Sequence, residues 1–142
     1  VLSGHREAIE RAIALVKEHG IKRGVALPVS APFHCALMGP AADAMAEALD
    51  ATPPATLRVP LFANVTAAMV TDPADVKRLL VEQVTGRVRW RESAIAMHAA
   101  GVEHFVEFGG KVVGPMIKRS AGDVEITSVS SMDEIEALAK VL

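Results

Sequence analysis

Apolar residues recur at helical spacing in several stretches of the chain and gather into short extended runs between them. From Gly4 to His19, the residues Ile9, Ala12, Ile13 and Val16 fall at i, i+3, i+4 and i+7, which predicts a helix with one buried face, ended by Gly20. Ile21 to Val29 reads as an extended segment, and Pro28 places it at a sheet edge or in its last turn, because proline has no N–H for a ladder. Pro40 to Ala51 predicts a second helix with Met38, Ala42, Met45, Ala46 and Leu49 on its inner side, broken by Thr52-Pro53-Pro54. Val59 to Val65 reads as a short strand. Asp72-Pro73-Ala74-Asp75 then supplies an N-cap, a proline at the first helical position and an acid in the first turn of a third helix, closed by Gly86.

A fourth helix covers about Glu92 to Ala100 and stops at Gly101. Val102 to Phe108 is the clearest strand, rich in Val and Phe and bounded by Gly101 and Gly109. A helix of about Val112 to Ser120 follows, then Glu125 to Ser130 extended, then Ser131-Met132-Asp133-Glu134 as a capping box opening the last helix. Strands alternating with helices predict an α/β protein built on a mainly parallel sheet.

Composition narrows the classes. A chain of 142 residues that is 51% hydrophobic can bury one real core, and its mean hydropathy of +0.30 excludes a disordered chain. No apolar run approaches the roughly 20 residues that span a bilayer. Cys35 is the one cysteine, so no disulfide scaffold exists within the chain, and a cytoplasmic, reducing setting is expected. The net charge is −2 with both signs interspersed, which argues against nucleic acid as a partner, and no membrane partner is expected. His5, His19, His98 and His104 share no metal-ligand spacing. The chain opens Val1-Leu2-Ser3-Gly4 without an initiator Met, a basic leader or a cleavage site, and is therefore read as a piece of something longer.

Candidate chemistry concentrates in Leu27 to Met38. A strand end at Pro28 to Ser30, a turn stiffened by Pro32, and His34 just before a helix form the kind of strand terminus where α/β proteins place reacting groups. His34 is either a proton-exchanging group near neutral pH or a hydrogen-bonded structural residue of a tight turn. Cys35 beside it is read as packing rather than as a thiol nucleophile. Gly109-Gly110-Lys111, between a strand and a helix, could offer amides to a phosphate but lacks a full phosphate-binding pattern, so a tight turn is the reading preferred. Lys118 and Arg119 suit a helix C-terminus on dipole grounds.

The segment Ser30-Ala31-Pro32-Phe33-His34-Cys35-Ala36-Leu37-Met38 resembles the active-site histidine segment of the malonyl-CoA:acyl carrier protein transacylases. Further similarity runs in order through Asn64-Val65-Thr66-Ala67, Gln83-Val84, Val88-Arg89-Trp90, Gly101-Val102-Glu103-His104-Phe105-Val106-Glu107, Gly110-Lys111-Val112 and Lys118-Arg119. The resemblance implies a serine nucleophile in a Gly-His-Ser-x-Gly elbow, with His34 as general base and acid. It also implies a main-chain carbonyl, assigned to Arg89, that orients the imidazole. Phe33, before the histidine, resembles the bulky residue of acyltransferases that select malonyl over methylmalonyl units; packing beneath the turn is the other reading. Ser30 is carried along as a substrate-binding candidate. No cofactor or metal is implied; malonyl-CoA is substrate, acyl carrier protein is partner, and phosphopantetheine is carried by that partner. Lys111 with Lys118 and Arg119 could receive the acidic carrier.

No Gly-x-Ser-x-Gly elbow occurs in the chain. The resemblance therefore implies the C-terminal half of the enzyme, with the missing N-terminal half as partner. Residues 1–29 are expected to be the tail of a small ferredoxin-like subdomain, and residues 30–142 the second part of an α/β-hydrolase-like core. The departure from Gly-Pro-Gly-Lys at Gly109-Gly110-Lys111 leaves that turn outside what the resemblance assigns. A polyketide synthase acyltransferase domain and a non-catalytic assembly module are the alternatives.

Overall fold

A computed structural model describes residues 1–141. Its elements are α1 (Arg6–Leu15), a short 3-10 turn (Ala36–Met38), α2 (Gly39–Ala51), β1 (Leu61–Ala63), β2 (Ala68–Val70), α3 (Pro73–Thr85), α4 (Trp90–Ala99), β3 (His104–Phe108), α5 (Gly114–Ala121), β4 (Glu125–Val129) and α6 (Met132–Leu138). The fold is mixed α/β, and the chain forms two compact units, one ending at Val88 and the other beginning at Arg89.

In the first unit α3 begins where the sequence places its cap. Asp72 Oδ1 accepts from the Ala74 amide at 2.7 Å and from the Asp75 amide at 3.3 Å, with Pro73 at the first helical position. The helix buries Val76 and Leu79, packs on α2 and reaches β1, whose Ala63 is also buried. Lys77 ties α3 to Asp50 of α2 by an ion pair. β1 and β2 form an antiparallel hairpin in register Leu61↔Val70, Phe62↔Met69 and Ala63↔Ala68. Its turn closes through Ala67 N–H to the Ala63 carbonyl at 2.8 Å, with Ala67 at φ 55°.

Two expectations change here. Ile21 to Val29 forms no strand; Val25, Leu27 and Val29 are exposed, and no other segment of the described residues offers this stretch a ladder. Met45, read on the inner side of the second helix, is 41% exposed, and α2 buries none of its residues.

The second unit is a β3–α5–β4 crossover. The two strands pair in parallel with His104↔Glu125, Val106↔Thr127 and Phe108↔Val129 in register, a geometry that requires an intervening connection such as α5. Ala94, Phe105, Ile117 and Val124 make its buried core, with Trp90, Met97, Val102 and Ile126 packed around them. Gly114 opens α5 because nothing larger fits: a Cβ there would stand 2.6 Å from Ile126 Cγ2. The capping box of α6 is present as expected, Ser131 Oγ accepting from the Glu134 amide at 3.3 Å while Glu134 accepts from the Ser131 amide at 3.1 Å.

Candidate functional site

The turn carrying His34 is built from its neighbours. Cys35 Sγ donates to the Pro32 carbonyl at 3.1 Å, which folds the chain back on itself and gives the half-buried thiol a structural use. His34 sits between them at φ 59°, in the left-handed region. That conformation costs a residue with a Cβ roughly 1–2 kcal/mol, and such strain gathers at functional sites.

His34 Nδ1 lies 3.0 Å from the Gln83 carbonyl oxygen. This carbonyl is free for a reason of helix geometry. α3 ends at Thr85, the Gly86 amide closes on the Glu82 carbonyl at 2.8 Å, and Gln83 is left among the last-turn carbonyls without a helical donor. A carbonyl can only accept, so Nδ1 carries the proton and Nε2 is left as the acceptor. A neutral imidazole held this way can take a proton from a hydroxyl or thiol through Nε2 and return it.

The carbonyl expected beside the imidazole is that of Arg89; the one that faces Nδ1 is that of Gln83. The Arg89 carbonyl accepts from the Ser93 amide and from Ser93 Oγ, both at 2.9 Å. Arg89 is the N-cap of α4, and a carbonyl in that place is taken up by the first turn of its own helix. Gln83 was missed because a main-chain acceptor has no residue signature. The available signal was positional: Gly86 ends the helix, which frees the carbonyls just before it.

Ser30, Phe33 and His34 line one groove of about 930 Å³, with α1 contributing Ile9 and Ile13 to its wall. Phe33 is 44% exposed and is among the residues lining this groove. Among the described residues no cluster of three or more His, Cys, Asp or Glu is arranged to hold a metal, and no helix is long and apolar enough to cross a membrane.

The Gly109-Gly110-Lys111 turn has its own anion. Glu107 accepts from the Val112 and Val113 amides at 2.8 Å each, from the Gly114 amide at 3.0 Å and from Ser128 Oγ at 3.3 Å. The amides that begin α5 therefore serve a carboxylate of the same unit. The Val113 amide foremost, with those of Gly114 and Val112 and the Ser128 hydroxyl, holds Glu107 below the ordinary carboxylate range, against partial burial that pushes the other way. Lys118 and Arg119 lie exposed in the last turn of α5, and Arg119 Nε reaches the Pro115 carbonyl at 3.4 Å. The Ser130 amide foremost, then the Ser130 hydroxyl and the Ser131 amide, and least the charge of the exposed Lys111, hold Glu134 below the ordinary carboxylate range.

No protein-family model matches the chain. Curated relatives do. The malonyl CoA-acyl carrier protein transacylase of Bacillus subtilis is 40% identical across 100% of this chain and 45% of its own length. That of Salmonella typhimurium is 42% identical, again over 100% of this chain and 45% of the relative. Among solved structures, the acyl-carrier-protein S-malonyltransferase of Bartonella henselae superposes with a TM-score of 0.88 at 45% identity, covering 97% of this chain and 44% of that one. A malonyl-transacylase solved in complex with its type II polyketide acyl-carrier protein gives a TM-score of 0.87 at 31% identity, covering 98% of this chain and 45% of its own. The chain thus spans somewhat less than half the length of the curated relatives it matches. In sequence over its whole length, and in fold over 97% of it, the chain is similar to part of the malonyl CoA-acyl carrier protein transacylases.

Proposed function

We propose that the protein carrying this chain moves a malonyl group from CoA to the phosphopantetheine thiol of acyl carrier protein, as a cytoplasmic step of fatty acid biosynthesis. The observation that carries this reading is the imidazole of His34 held through Nδ1 by a main-chain carbonyl, in a chain whose relatives bear that name. A serine outside this chain is the nucleophile. Its Oγ attacks the malonyl thioester carbon while its proton passes to His34 Nε2. The tetrahedral intermediate collapses, the C–S bond breaks, and the proton on Nε2 goes to the departing CoA sulfur. The carrier thiol then attacks the serine ester, gives its proton to Nε2, and serine leaves with that proton regained.

The Gln83 carbonyl accepts from Nδ1 throughout, so no carboxylate partner is needed. Phe33 and Ser30 line the acyl groove, where the ring of Phe33 disfavours an α-methyl branch by about 1–3 kcal/mol, the scale of one methyl in an apolar pocket. Lys111, Lys118 and Arg119 are the cations offered to the carrier. In this reading residues 1–29 belong to the small ferredoxin-like subdomain and residues 30–142 to the hydrolase-like core. The test is transfer of labelled malonyl from CoA to carrier by the full-length protein. His34→Ala is expected to lower kcat by roughly 10²–10⁴-fold. Undiminished transfer would overturn the reading.

A further inference from the structure

We infer that the side chain of Gln83 is a positioning group for His34, acting through Gln83's own main-chain carbonyl. The inference rests on the acid–base role proposed for His34. A carbonyl in the last turn of a helix lacks the ladder that fixes interior carbonyls, and helix ends fray. An imidazole oriented by such a carbonyl is only as well placed as the turn that bears it.

The structure fastens this turn twice. Gln83 Nε2 donates to the Gly86 carbonyl at 3.0 Å, folding the side chain over the end of α3. Gly86 has φ −82° and ψ 150°, which any residue adopts, so its backbone conformation does not call for glycine. Space does: a Cβ at Gly86 would lie 2.7 Å from the Glu82 carbonyl oxygen and 2.7 Å from Val65 Cγ2. The end of α3 is thereby drawn tight against the turn of the β1–β2 hairpin.

The other end of the same amide points to function rather than folding. Gln83 Oε1 is buried and has no hydrogen-bond partner among the described residues. Turning the amide over would set Oε1 against the Gly86 carbonyl, two acceptors facing each other, so the orientation is fixed by Nε2. A buried acceptor without a partner lowers stability, and a methionine of similar length would fill the same space without that penalty. Glutamine is thus a poor choice for folding alone and a good one for holding the turn.

This makes stability and catalysis separable. In the full-length protein, Gln83→Met should melt at or above the parent temperature, yet lower kcat for malonyl transfer roughly tenfold with KM within about twofold. The imidazole ¹⁵N signals of His34 should move from the Nδ1–H tautomer toward the mixture of a free histidine. Gln83→Glu, equally long but without a donor, should shift kcat and tautomer in the same direction if Gln83→Met proves hard to fold. A kcat within twofold of the parent overturns the inference. So does a fall in kcat that leaves the tautomer unchanged or merely follows a loss of melting temperature. Should His34→Ala transfer malonyl normally, the acid–base reading itself fails, and that outcome is distinct from these.

Discussion

The left-handed backbone at His34 can be tested without any catalytic assay. His34→Ala and His34→Gly both remove the imidazole and its 3.0 Å hydrogen bond to the Gln83 carbonyl, so that loss cancels between them. What differs is the response to φ 59°. Alanine keeps a Cβ and its left-handed penalty of roughly 1–2 kcal/mol, whereas glycine has none. Glycine in turn loosens the unfolded chain, which costs about 0.4–1 kcal/mol. The penalty outweighs the loosening, and His34→Gly should be the more stable variant by about 0.5–1 kcal/mol. Urea unfolding of the two variants side by side is the assay. With a slope near ~2 kcal/mol per molar, the glycine variant should unfold about 0.3–0.5 M later at unchanged slope. His34→Asn, whose residue type tolerates this region, should fall between them. Equal midpoints, or alanine above glycine, would mean that the turn relaxes when the imidazole leaves and that no strain is stored there.

Two further predictions concern the second unit. Glu107→Gln replaces a carboxylate that accepts from three amides and Ser128 with a group that has only one acceptor oxygen. Because the folded protein holds Glu107 below its usual value of 4.5, its stabilisation is complete above that pH and is lost as the pH falls through the lowered value. The parent should therefore exceed Glu107→Gln in urea midpoint at neutral pH, with the gap closing in acid; a gap constant with pH contradicts the account. Ile117→Ala empties a core position only 4% exposed, between Phe105 and Val124, and should cost about 2–5 kcal/mol by chemical denaturation. A cost under about 1 kcal/mol would show that this core does not hold the unit together.

The helices were legible wherever a side chain announces a backbone event. Asp72 before Pro73 and Ser131 before Glu134 are local chemistry, complete within a few residues, and both caps form as read. The strands were legible only where a partner exists. β3 and β4 find each other across α5, whereas Ile21 to Val29 has strand-like residues and no ladder among those described. β2 went unread because its three residues have no pattern of their own; the closure of the hairpin turn at Ala67 makes them a strand. The site divides the same way. His34 is visible as a residue type in a telling place, and Phe33 beside it. The acceptor on Nδ1 is a peptide group like every other, and only the end of α3 singles it out.

That last feature changes what kind of alteration the site is sensitive to. Where an orienting group is a side chain, the identity of one residue carries the information, and replacing it erases the contribution. Here the information lies in the phase of a helix, counted from the Asp72 cap to Gln83. Adding or removing one residue within α3 would turn the Gln83 carbonyl about 100° around the helix axis and slide it about 1.5 Å, with every side chain at the site unchanged. Drift among relatives should therefore spare the length of this helix more strictly than its composition.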